Sequence, residues 1–166
     1  MKIALCGYLG SGCTEVAENL ASKFELEIFN TSGIIGSVKD FETLSRSGEI
    51  DLDIVIKGKL EEILKRDNVI VEGRSAFMLL DRKDLIKIFL NTPLEDRIKH
   101  VADRRGISIE TARGDVERSD EERNYLIKRF FKKDCPDITD YDFSINTSSK
   151  TFSKIAGIIA DFIKVL

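Results

Sequence analysis

Lys2-Ile3-Ala4-Leu5-Cys6 runs straight into Gly7-Tyr8-Leu9-Gly10-Ser11-Gly12-Cys13-Thr14, and the reading of this stretch sets the fold. The first five residues are a short apolar run stopped by glycine, the pattern of a buried strand. From Thr14 the period changes, and Val16, Ala17, Leu20, Ala21 and Phe24 fall on one face of a helix. The turn between them has the spacing of a phosphate loop, G-x-x-x-x-G-K-[ST], with Cys13 where lysine belongs. Glycines let successive N–H groups curl inward around phosphate oxygens. The helix that follows adds the positive end of its dipole. A glycine-rich turn with no ligand would leave Gly10 and Gly12 as needless entropic costs. The Thr14 hydroxyl is suited to coordinate Mg²⁺. A thiol at position 13 cannot spread positive charge over a transferring phosphate, and losing one comparable stabiliser lowers a rate by about 10²–10³. At a helix N-terminus Cys13 is either a reactive thiolate or an inert small filler.

Further strands are expected at residues 26–29, 68–72, 86–90 and 141–145, with 68–72 and 86–90 as buried strands of a parallel sheet. Between them, helices are expected at 51–65, 94–104, 108–131 and 151–165, with a helix broken near Gly33 and Gly36 over 32–46. Strands alternating with helices predict an α/β fold: a doubly wound parallel sheet of about five strands, of the P-loop NTPase type, flanked by helices. The 166 residues suffice for one domain, 1–166, and show no repeat or linker. The 29 acidic and 26 basic side chains leave −3, so no global basic field argues for nucleic acid. No apolar run approaches the roughly 20 residues that span a bilayer, and the N-terminal apolar run is too short for a signal peptide. Cys6, Cys13 and Cys135 lack metal-ligand spacing and are expected as free thiols in a reducing cytoplasm.

Glu72-Gly73-Arg74 ends the apolar run Val69-Ile70-Val71, which places two charges at the carboxyl edge of a central strand. Ligands of open α/β sheets bind at that edge. Arg74 would hold an acceptor phosphate beside Gly73, and Glu72 would reach Mg²⁺ through water; the plainer alternative is a strand-end salt bridge. Seven arginines, Arg97, Arg104, Arg105, Arg113, Arg118, Arg123 and Arg129, fall within residues 97–129. Interleaved acids (Asp115, Glu117, Asp120, Glu121 and Glu122) could pair with them on a solvated face, which is the expectation for Arg113 and Arg129. The planar fork of arginine also suits phosphate oxygens, so an arginine-bearing lid with Gly106 and Gly114 as flexible points is the functional reading. His100, the only histidine, is expected to face solvent.

With these residues in place the sequence resembles the nucleoside monophosphate kinases, most closely the archaeal-type cytidylate kinases, over essentially the whole chain. The resemblance is carried by the loop frame, Asn68 to Arg74 (NVIVEGR), Ile86 to Arg97 (IKIFLNTPLEDR) and Ala102 to Ser108 (ADRRGIS). It continues through Glu117 to Arg123 (ERSDEER) and Tyr141 to Ser148 (YDFSINTS). It implies ATP phosphates on Gly7, Gly10, Ser11, Gly12, Cys13 and Thr14, with Mg²⁺ as the cofactor. It further implies an acceptor-binding segment at about 30–66 containing Thr31 and Gly33, with Gly73 and Arg74 on the monophosphate. A lid-like segment at about 104–123 would bring Arg104, Arg118 and Arg123 to the transferring phosphate, with Thr14 in the catalytic set. Where the family pattern reads approximately S-A-G-[DE]-[IL]-[FL]-R, this chain has Thr31-Ser32-Gly33-Ile34-Ile35-Gly36-Ser37. The acidic residue has become Ile34 and the phosphate-binding arginine Ser37. Three functions fit: ATP-dependent phosphoryl transfer to a nucleoside monophosphate, nominally CMP; nucleotide binding without catalysis; and a P-loop kinase for another small acceptor. Nucleotides are the expected partners, with no nucleic acid and no membrane.

Overall fold

The computed structural model describes residues 1–37, 51–133 and 137–166. Strands β1 (Lys2–Gly7), β2 (Glu27–Asn30), β3 (Val69–Glu72), β4 (Ile86–Asn91) and β5 (Phe143–Asn146) form a parallel sheet in the order β2-β3-β1-β4-β5. Helices α1 (Cys13–Phe24), α2 (Thr31–Gly36), α3 (Leu52–Ile63), α4 (Leu94–Arg105), α5 (Ile109–Phe131) and α6 (Phe152–Lys164) flank it, with 3-10 turns at Gly73–Leu79 and Ile138–Asp140. The doubly wound expectation therefore holds.

Strand alternation divides the core. Ile3 and Leu5 of β1, Ile70 of β3 and Ile88 and Leu90 of β4 meet Val16 and Leu20 of α1 and Ile155 and Ile159 of α6 on one face. Ala4 and Cys6 of β1 and Val69 and Val71 of β3 meet Leu60 of α3, Phe77 of the 3-10 turn Gly73–Leu79 and Ile127 of α5 on the other. Full burial of a side chain such as Leu20 or Ile127 is worth about 2 kcal/mol. Ile98, Val101, Ala112 and Val116 form a third cluster that joins α4 to α5.

This layering positions the site. Neighbouring strands β1 and β3 send their connections to opposite faces, since α1 belongs to the first cluster and Gly73–Leu79 to the second. Adjacent parallel strands whose connections diverge leave a crevice at their carboxyl edge. Gly7, Asn30 and Glu72 end their strands there, with Glu72 in register with Leu5 and Asn30.

Three expectations need correction. The last strand begins at Phe143 rather than Tyr141, because Tyr141 stacks on Phe89 at 4.9 Å and the Asp142 carboxylate accepts the Lys87 amide at 2.7 Å. Gly33 does not break a helix: the Asn30 side chain accepts the Gly33 amide at 2.8 Å and caps α2 with Gly33 inside it. The remainder of the expected 32–46 helix, from 38, lies outside the described residues. Gly114 is a helical residue inside α5 and no break, whereas Gly106 ends α4 in the left-handed region at φ 63°.

Candidate functional site

The loop holds its shape through glycine. Gly10 and Gly12 have φ of 88° and 83°, where a side chain is strained, and the Ser11 amide donates to the Tyr8 carbonyl at 2.9 Å. Packing adds to the conformational demand. A Cβ on Gly10 would lie 2.5 Å from the Arg97 carbonyl oxygen, and one on Gly12 would lie 2.2 Å from the Phe152 ring. Gly12 is the N-cap of α1 and offers no side chain to its first-turn amides, which leaves them for an anion. The loop forms one wall of a cavity of about 530 Å³.

Thr14 and Glu72 meet at the floor, the Thr14 hydroxyl donating to Glu72 Oε1 at 3.2 Å. Glu72 is only 5% exposed. Burial pushes its carboxyl above the usual carboxylate range, which the Thr14 hydrogen bond opposes and nearby Glu15 reinforces. A second buried oxygen, Glu15 Oε2, has no hydrogen-bond partner among the described residues. Among those residues no three His, Cys, Asp or Glu side chains converge on a metal position. That donor set suits Mg²⁺, which keeps waters and takes one or two carboxylates plus substrate phosphates rather than a protein cage.

The Cys13 side chain turns back toward β1, close enough that a Cβ on Gly7 would sit 2.6 Å from its sulfur. Burial pushes the thiol up to about 12, with Glu72 adding to the shift. Burial therefore disfavours the helix-terminus thiolate, and the side chain packs as a small filler in the core. Cys6 and Cys13 are both free; Cys135 lies outside the described residues.

Four arginines face the cavity with the loop: Arg74, Arg104, Arg105 and Arg118, joined by the deeper Arg123. Arg74 pairs with Glu122 at 2.5 Å, Arg105 with Asp115 at 2.7 Å and Arg104 with Glu15 at 3.7 Å. Arg118 is exposed at the mouth. Arg123 is 3% exposed, which removes it from any surface lid. Arg113 makes the expected solvated pair, with Glu95 at 2.8 Å. Arg129 departs from expectation and bridges to Asp51 and Asp53, the N-cap and first turn of α3. His100 is half-buried rather than fully solvent-facing: its Nδ1 lies 2.9 Å from the Gly10 carbonyl oxygen and its ring meets Phe152 edge-on.

Residues 53–149 match the model of the cytidylate kinase-like family. The chain belongs to this family. The cytidylate kinase of Methanosarcina mazei is 33% identical, over 89% of this chain and 87% of that protein. That of Sulfolobus acidocaldarius is 30% identical, over 96% of this chain and 92% of its own. Among solved structures, shikimate kinase from Acinetobacter baumannii in complex with shikimate superposes with a TM-score of 0.66 at 17% identity, covering 99% of this chain and 93% of that one. This last likeness is one of fold.

Within this cytidylate kinase-like chain the cavity wall opposite the loop is built from side chains. Thr31 and Ser75 hydroxyls lie 2.8 Å apart, and the Ser75 amide donates to Thr31 Oγ1 at 3.2 Å. Thr31, Gly73 and Arg74 line the cavity together with Asn30, Ser32 and Ile35, but Gly33 does not. Ile34 points into the core at 2% exposure, and the Ser37 hydroxyl closes α2 on the Ile34 carbonyl at 2.7 Å. The structure therefore brings Gly7, Gly10, Ser11, Gly12, Cys13, Thr14, Thr31, Glu72, Gly73, Arg74, Arg104, Arg118 and Arg123 around one cavity. Sequence reasoning missed Asn30, Ser32, Ser75 and the supporting role of Arg97. Arg97 had a signal: it sits one turn before Val101 on the buried stripe of α4.

Proposed function

We propose that the chain transfers the γ-phosphoryl group of ATP to a nucleoside monophosphate, with CMP the nominal acceptor. The observation that supports this best is the convergence, in one cavity, of a glycine cradle, the Thr14–Glu72 pair and Arg74 in a member of the cytidylate kinase-like family. The loop amides from Gly10 to Thr14 would hold the ATP phosphates. Thr14, with Glu72 through water, would hold Mg²⁺, which would supply charge neutralisation for the phosphates. Arg74 would turn from Glu122 to the acceptor phosphate, and Thr31 and Gly73 would border the acceptor. Arg104 and Arg118, at the mouth, would come down over the transferring group. In-line displacement needs positioning and charge stabilisation rather than a covalent intermediate.

A second reading keeps the phosphoryl donor and changes the acceptor. It is favoured by the acceptor wall, where Ile34 is buried and Ser37 caps a helix, so Arg74 faces the acceptor without the family's second cation. An ADP-release assay across nucleoside monophosphates and unphosphorylated nucleosides, with ATP calorimetry on the same sample, separates these. Fastest turnover with CMP is expected. ATP binding with no ADP formed from any acceptor would sink the catalytic reading and leave a nucleotide-binding protein.

A further inference from the structure

Tyr8, inside the glycine loop, lies between two guanidinium groups. Arg97 stands 5.2 Å from its ring centroid and Arg123 5.0 Å, and Arg123 is also 5.1 Å from the Phe77 ring. The Tyr8 hydroxyl donates to Asn124 Oδ1 at 3.2 Å, which ties the loop to the helix that carries Arg123. One carboxylate serves both cations, and it serves them unequally. Asp120 accepts two hydrogen bonds from Arg97, at 2.9 and 2.7 Å, while its nearest approach to Arg123 is 3.7 Å. Two guanidinium charges against one carboxylate leave one positive charge in excess, and it resides on Arg123.

Nε and Nη1 of Arg123 are buried without a hydrogen-bond partner among the described residues. Buried ions are ordinarily paired and fully hydrogen-bonded, because desolvation is otherwise uncompensated. Here the unsatisfied side chain lines the same cavity as the phosphate loop. A group that is short of an anion, beside a cradle built for anions, is complementary to phosphate. Position 13, which in such loops carries the cation, holds a neutral thiol turned away toward β1.

We propose that Arg123 is the phosphate-facing cation of this chain, standing in for the lysine its loop lacks, and that Tyr8, Arg97 and Asp120 are the mount that holds it there. The charge has moved from a flexible stem on the loop to a fixed guanidinium on α5. Arg123 and a lysine at position 13 would then be alternative sources of one charge. This rests on the nucleotide reading above, and its test begins by separating the two. Wild-type protein is titrated calorimetrically with ATP and with inorganic tripolyphosphate, beside Arg123→Met, Arg123→Lys and the double variant Arg123→Met/Cys13→Lys. No binding of either ligand by the wild type would end the nucleotide reading and this one with it.

If the wild type binds, Arg123→Met should weaken both ligands by about 100-fold, Arg123→Lys should keep affinity within about tenfold, and the double variant should recover at least about tenfold of the loss. Melting without ligand gives an independent readout. Methionine in place of a buried charge that lacks hydrogen bonds at Nε and Nη1 should leave the ligand-free protein as stable or more stable. Wild-type affinity in Arg123→Met would overturn the inference while leaving the kinase reading standing. Where Arg123→Met both melts lower and binds poorly, Arg123→Lys decides: retained binding supports the charge, and binding lost together with stability in this variant too assigns Arg123 to structure alone.

Discussion

The wall of the cavity formed by residues 7–14 presents backbone, whereas the wall formed by residues 30–35 and 73–75 presents side chains. On the first, Gly10 and Gly12 are held by left-handed φ and by contact with Arg97 and Phe152, so the shape is fixed by steric exclusion. On the second, hydroxyls meet hydroxyls and the α2 segment is six residues long. The side chain lost from the loop, lysine to Cys13, leaves the cradle intact because amides make the cradle. Ile34 and Ser37 bring no polar side chain to the second wall, since Ile34 is buried in the core and the Ser37 hydroxyl closes α2. A backbone site keeps its ligand class through side-chain change; a side-chain site changes its specificity first.

The largest expected effect comes from breaking the backbone wall. Gly12→Ala forces a Cβ into the left-handed region and against the Phe152 ring, 2.2 Å away. Backbone strain and over-packing together should destabilise the fold by about 3 kcal/mol, read from urea unfolding. Adding Phe152→Ala removes the collision but not the strain. The double variant should therefore fall short of additivity by about 1 kcal/mol or more. Additive losses would show that the ring does not enforce the glycine.

The acceptor wall should respond less, and differently. Thr31→Val leaves the buried Ser75 hydroxyl and amide without their partner, a loss of about 1–3 kcal/mol. Because Thr31 lies on the wall proposed for the acceptor and not on the loop, KM for the acceptor should rise while ATP affinity stays within about twofold. Equal losses on both ligands would mean that the two walls are one mechanical unit.

How far the sequence reveals these walls follows from their materials. Glycine spacing at a change of period marks a strand–turn–helix with little ambiguity, and the loop with its first strand is legible for that reason, while the other four strands are legible as short apolar runs between helical stretches. The arginines were harder, since composition alone cannot separate a solvated pair from a buried cation. Periodicity can. On α5 the buried positions run Ala112, Val116, Arg123 and Ile127, so Arg123 occupies the apolar stripe that Arg113 and Arg129 avoid. Arg97 shares the α4 stripe with Val101 in the same way. Pairing across elements, such as Arg129 with Asp51 and Asp53, leaves no local trace in the sequence.

The smallest effect is expected at the residue that first sets this loop apart. The Cys13 side chain packs in the core while its amide belongs to the loop, so Cys13→Ala should change ATP affinity and turnover by less than about threefold and cost about 1 kcal/mol of stability at neutral pH. Its titration gives a sharper measure. Folding lifts the thiol from 9.0 to about 12, so between those pH values the folded chain keeps a proton that the unfolded chain releases. Stability must then fall as pH rises above about 9, by up to about 1.4 kcal/mol per pH unit for one such thiol. Buried Cys6, shifted the same way, adds a parallel loss. Cys13→Ala should remove one share of that slope and leave the rest, a difference visible in urea unfolding at pH 8 and pH 10. Iodoacetamide at pH 8, mapped by peptide mass, should leave Cys13 unmodified in the native protein and modified after unfolding. Rapid native alkylation at Cys13, with an unchanged pH slope in Cys13→Ala, would restore the reactive thiolate and make this position part of the phosphate wall after all.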